Sequence, residues 1–230
     1  MSAKDVITLV LSGLALAVSV IATAYGVWRQ RRESDRQFLE RITDITSALI
    51  DARAKVREID SAPADQKGPE VDYVRGNQVQ RMIVLARQAD YMVTDKTMRL
   101  LSDVNYLAMA QAFAVLGDTA QAERYWALAC ATPTRAAYQA LNRRMYGDYL
   151  FNQGRPDEGR AQYESAIGDL SASPEGRDYS QIGLVYENWM VSEARSGFAD
   201  QARAVEQKAK ESYGRIPNER QREWALTRLE

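Results

Sequence analysis

Thirty-one carboxylates, thirty basic side chains and a single thiol, with no histidine among 230 residues, set the chemistry this chain could do. Without imidazole, the histidine-containing zinc sets, the Ser-His-Asp and Cys-His nucleophile systems and the commonest general base are all absent. Cys130 has no second cysteine to pair with, which suits a reducing compartment. It follows a run of small residues at helical spacing and reads as an inert, packed thiol. Asp157 and Glu158 are adjacent acids at a helix start, where negative charge meets the positive end of the macrodipole. The cluster Arg29-Gln30-Arg31-Arg32 could touch phosphate, but it directly follows an apolar run, so membrane topology and anionic lipid explain it better than nucleic acid. No Walker-type phosphate loop, Rossmann fingerprint or paired-cysteine metal motif is present. The residues therefore predict no catalytic group, no metal, no cofactor and no nucleic-acid partner. A net charge of −1 adds no field toward an acidic ligand.

The elements that would position any binding surface read as helical throughout, and the fold class expected is all-α. Val6 to Trp28 carries no charge. As a helix it would span roughly 34 Å, enough for a hydrocarbon core of about 30 Å. Tyr25 and Trp28 sit where interfacial aromatics belong, and the arginines follow at once. Residues 1–28 are thus expected to be a transmembrane anchor, with the membrane contacted through residues 6–28. The positive-inside bias places the N-terminus outside and the C-terminal part in the cytoplasm. Ala22-Thr23-Ala24 resembles a signal-peptide cleavage site, but the run is long for a signal core and its preceding charge is thin. Ser12, Ala15, Ser19, Ala22 and Gly26 form a small-residue stripe that would permit close helix approach.

Residues 29–60 form a juxtamembrane segment without Gly or Pro from Arg32 onward. Phe38, Ile42, Ile45, Leu49, Ala52, Val56 and Ile59 alternate by four and three, a heptad seam. It either joins two copies in a short coiled coil, with Lys55 and Asp60 as the interhelical pair, or packs on the chain's own downstream helices. Residues 61–70 hold two prolines and a glycine and read as a linker or a turn at which the chain doubles back.

From residue 71 to 230 helical stripes alternate with turn signals. Val79, Met82, Ile83, Ala86 and Ala89 share one face. Tyr106, Met109, Ala110 and Phe113 precede Leu116-Gly117-Asp118, and Ala122, Trp126 and Ala129 follow it before Pro133. Two further units have turns at Gly154 and Gly197. Tyr146, Gly147 and Leu150 precede the first, with Gly159, Tyr163 and Ala166 after it. Tyr186, Trp189, Met190 and Glu193 precede the second, with Ala202, Glu206 and Ala209 after it. Glu193 and Glu206 stand where large apolar side chains are expected. Pro217-Asn218-Glu219 opens a last helix, with Asn218 as cap and Trp224 and Leu229 expected to cover the final apolar face.

This pattern resembles the tetratricopeptide repeat, across about 110 residues. The glycine spacings, 37 and then 43 residues, exceed the family period of about 34, which implies longer loops near 131–135 and 171–180. A non-repeating helical bundle is the plainer alternative. The resemblance implies an α-solenoid of helical hairpins whose concave side is formed by the first helix of each pair and binds a protein or peptide. Carried onto this sequence, that face holds Leu107, Gln111 and Ala114, then Arg144, Asp148 and Asn152, then Glu187, Val191 and Arg195. The protein-binding set that the resemblance implies is Gln111, Arg144, Asp148, Asn152, Glu187 and Arg195. The Lys, Asn and Arg set with which some members clamp a terminal carboxylate is missing. The expectation is a non-enzymatic, membrane-tethered cytoplasmic adaptor, with homo-oligomer formation open to it. The alternative is a structural subunit of a larger membrane complex assembled through the spanning and heptad helices.

Overall fold

The computed structural model describes the backbone of residues 3–63, 68–173 and 178–229, and side chains in those ranges from residue 19 onward. Among the described residues the fold is all-α, with ten helices. They are α1 Ala3–Ser61, α2 Pro69–Met92, α3 Asp95–Met98, α4 Asp103–Val115, α5 Thr119–Ala131, α6 Ala136–Asn152, α7 Pro156–Ser171, α8 Tyr179–Arg195, α9 Ala199–Gly214 and α10 Glu219–Thr227.

Four hairpins follow one another: α1 with α2, α4 with α5, α6 with α7, and α8 with α9. The first helix of each later hairpin packs on both helices of the one before. The three turns expected at glycines share one geometry. Gly117, Gly154 and Gly197 have φ of 73°, 72° and 84°, the left-handed region that glycine enters without a Cβ penalty. After each, a backbone N–H reaches back to a carbonyl five residues earlier, all at 3.0 Å: Asp118 to Phe113, Arg155 to Leu150, and Phe198 to Glu193. Asp118 and Asp178 then cap α5 and α8 through their carboxylates.

Small residues set how close the paired helices lie. A Cβ built on Gly159 would stand 2.5 Å from the Phe151 ring, and one on Gly183 would stand 2.3 Å from the Tyr213 ring. Aromatics fill the space between hairpins. Trp126 of α5 stacks on Tyr146 of α6, and Tyr163 of α7 stacks on Trp189 of α8, both with ring centroids 5.7 Å apart.

The heptad seam is used within the chain. Ile42, Ile45, Leu49, Ala52 and Val56 are buried in one core with Met82, Ala86 and Ala89 of α2 and with α4, so they have no face left for a second copy. Lys55 pairs with Glu58 on its own helix, while Asp60 takes Arg75 of α2 at 2.6 Å, which removes the coiled-coil bridge. The 61–70 stretch therefore joins the two helices of a hairpin, α1 and α2. α1 runs unbroken from the apolar segment into this core. From residue 19 it is exposed until Ile42, apart from half-buried Asp35 and Phe38.

Among the described residues no helix is long and apolar enough to cross a membrane. Residues 6–18 of the apolar run, with Ser12 and Ala15 of its small-residue stripe, fall outside the described side chains. Two further expectations are corrected. Glu193 is not a misfit: it is buried and fully paired, as described below. Trp224 does not cover the last apolar face. It is 64% exposed with Arg228 over its ring, while Ala225 and Leu226 pack toward Tyr213 and Ile216.

Candidate binding groove

A groove of about 540 Å³ runs along the first helices of all four hairpins, within the size range of ligand sites. α1 contributes Arg53 and Arg57; α4 contributes Gln111, Ala114 and Val115; α6 contributes Arg144, Met145, Asp148, Tyr149 and Asn152; α8 contributes Asn188, Val191 and Arg195. Gln153 and Trp126 complete it. Five of the six residues inferred from the sequence are thus brought together: Gln111, Arg144, Asp148, Asn152 and Arg195. Glu187 is not among them. Its carboxylate accepts a hydrogen bond from the Tyr213 hydroxyl at 2.6 Å and is paired with Arg228, which ties α8 to α9 and α10.

Polar links cross the groove floor. The Arg53 guanidinium donates to the Gln111 side-chain oxygen, and the Gln111 amide N–H reaches the Met145 sulfur at 3.4 Å. That chain connects α1, α4 and α6. Asp148 accepts from Ser192 Oγ at 3.2 Å, and Ser192 Oγ lies 2.9 Å from the Tyr163 hydroxyl. Burial holds the Arg53 guanidinium below its usual range, Arg57 adds repulsion, and Asp148 offsets part of this. Burial lowers Arg144 in the same way, with Tyr163, Asp148 and Glu187 acting against it.

Arg53 and Arg57 were missed because α1 was read as a separate segment. The signal that could have found them was the possibility that 61–70 is a hairpin turn, which makes α1 the first helix of an additional pair. Arg53 and Arg57 are four apart, each next to a seam residue, Ala52 and Val56, so they share one edge of the packed face. Among the described residues no group of three or more Asp, Glu or Cys is placed to hold a metal. Comparison with known proteins finds no family model, curated protein or solved structure that matches the chain.

Proposed function

We propose that this chain is a membrane-tethered adaptor that recruits a protein partner through a short tetratricopeptide-like solenoid. The observation that carries the reading is the groove: side chains from four successive hairpins converge on one concave strip, with amide and guanidinium groups between apolar ones. An extended peptide presents the same alternation of backbone polar groups and side chains. The apolar run from Val6 to Trp28, followed by Arg29, Arg31 and Arg32, supports an anchor with the hairpins on the cytoplasmic side. Tethering would raise the local concentration of the partner at the membrane.

A photo-crosslinking residue at Asn152 or Gln153, both exposed in the groove, tests this in cells with the full-length protein. A discrete adduct that disappears with Arg144→Glu is expected. Adducts at convex positions alone would overturn the adaptor reading, and digestion of the hairpins by protease added outside intact cells would overturn the orientation.

The second reading, a structural subunit of a larger complex, is favoured by the exposed stretch of α1 between residue 19 and Ile42. Removing residues 1–36 separates the two while sparing the buried part of α1. An adaptor keeps its groove adducts, and a subunit assembled through α1 leaves its complex.

A further inference from the structure

The groove is far from neutral, although the chain as a whole carries a net charge of −1. Four guanidiniums, Arg53, Arg57, Arg144 and Arg195, face it with one carboxylate, Asp148. None of the four makes an ion pair among the described residues; Arg143, beside Arg144 in sequence, is paired with Asp169. Arg144 is half-buried and makes no hydrogen bond there, and Arg53 makes one, to the neutral Gln111. Asp148 lies close enough to raise both, and Glu187 to raise Arg144, yet Asp148 takes its hydrogen bond from Ser192, and Glu187 takes its contacts from Tyr213 and Arg228. Desolvated guanidiniums without a carboxylate in direct contact cost free energy unless an anion completes them.

We propose, resting on the adaptor reading, that the groove takes an acidic internal segment of a partner protein, with carboxylates on Arg53 and Arg144 and apolar side chains between them. The arginines are spread over α1, α6 and α8 and so fit several carboxylates along a chain better than one point charge. Between them lie Ala114, Val115, Met145 and Val191, which suit alternate apolar side chains. The exposed amides of Asn152 and Gln153 suit a peptide backbone. Trp126, 2% exposed and bordering the groove, has an indole N–H without an acceptor, so one buried donor at the floor is also uncompleted. Guanidinium–carboxylate pairs in such partly desolvated settings are charge-assisted and frequently bidentate.

The test uses the full-length protein in detergent micelles and a labelled peptide alternating Glu and Leu, acetylated and C-terminally amidated. Saturable binding that weakens with salt is expected, with Arg53→Gln and Arg144→Gln each weakening it about tenfold. Arg57→Gln and Arg195→Gln are exposed changes that cannot harm the core, and they should mainly flatten the salt dependence. No binding of the Glu–Leu peptide would overturn the proposal, as would equal binding of its Gln–Leu counterpart or a requirement for a free terminal carboxylate. Arginine-dependent binding of a single-stranded oligonucleotide in place of the peptide would also overturn it. Groove crosslinks in cells that persist in Arg53→Gln and Arg144→Gln would leave the adaptor reading standing and sink this one.

Discussion

Arg160 of α7 holds Glu193 of α8 through two parallel hydrogen bonds, Nε to Oε1 and Nη2 to Oε2, both 2.8 Å long. The glutamate side chain is 1% exposed and also accepts from the Trp189 indole N–H at 2.8 Å. The fourth hairpin is thereby locked to the third by a charge in a position where an apolar side chain was expected. The pairing raises the Arg160 guanidinium above its ordinary range, chiefly through the hydrogen bond to Glu193.

Breaking this pair from one side should cost more than removing it. Arg160→Ala leaves a buried carboxylate without its cation and should destabilise the fold by about 3–5 kcal/mol. Replacing both residues, Arg160→Met with Glu193→Leu, should fall within about 1–2 kcal/mol of the parent. Urea unfolding of the two variants gives the comparison; a double variant as unstable as Arg160→Ala would show that the pair itself stabilises the interface.

Two glycines on one helix should respond to alanine with opposite signs. At Gly159 the new Cβ would stand 2.5 Å from the buried Phe151 ring and 3.0 Å from the Gly147 carbonyl, so Gly159→Ala should cost about 1–3 kcal/mol by overpacking. At Gly168 nothing lies within 4 Å, and Gly168→Ala should stabilise by about 0.5–1 kcal/mol through helix propensity. Thermal midpoints moving in the same direction would contradict the close approach of α6 and α7.

The turns were the most legible part of the sequence, because Gly117, Gly154 and Gly197 report a local backbone need that neighbouring residues also signal. The groove was legible where its residues belong to the hairpins opened by those turns. It was not legible at Arg53 and Arg57, since a heptad seam serves an intermolecular partner and an intramolecular one equally well, and only the packed structure chooses. Glu187 shows the converse: its spacing puts it on the expected face, but its carboxylate is taken up by Tyr213 and Arg228. Glu193 looked like an exception because its partner Arg160 is 33 residues away, a distance that periodicity does not address.

Stability should fall in base. Burial pushes the Cys130 thiol from 9.0 up to about 11, with the Asp169 charge adding to it and Arg143 opposing. Between those values the unfolded chain has released the proton and the folded chain still holds it. Each pH unit there should remove about 1.4 kcal/mol of stability. Burial also raises the Tyr125, Tyr163 and Tyr213 hydroxyls, and hydrogen bonds to Asp90 and Glu187 add to it at Tyr125 and Tyr213. They should steepen the loss at higher pH. Urea midpoints should be flat below about pH 9 and drop above it, with Cys130→Ala removing the first part of the drop. A midpoint constant to pH 11 would mean that these groups are solvated.

Arg144 should be a residue whose loss makes the free protein more stable. It is half-buried in the groove, burial lowers its pKa, and no ion pair or hydrogen bond compensates it among the described residues. Arg144→Met keeps the stem volume and removes the desolvated charge, so it should raise stability by roughly 0.5–2 kcal/mol. The same substitution should weaken binding of the acidic peptide. Arg143, next in sequence, provides the control: its Nε donates to Asp169 at 2.7 Å, so Arg143→Met should give no such gain. If Arg144→Met instead lowered the thermal midpoint, the arginine would be serving the hairpin stack and not a ligand, and the groove would lose the feature that marks it as a binding surface.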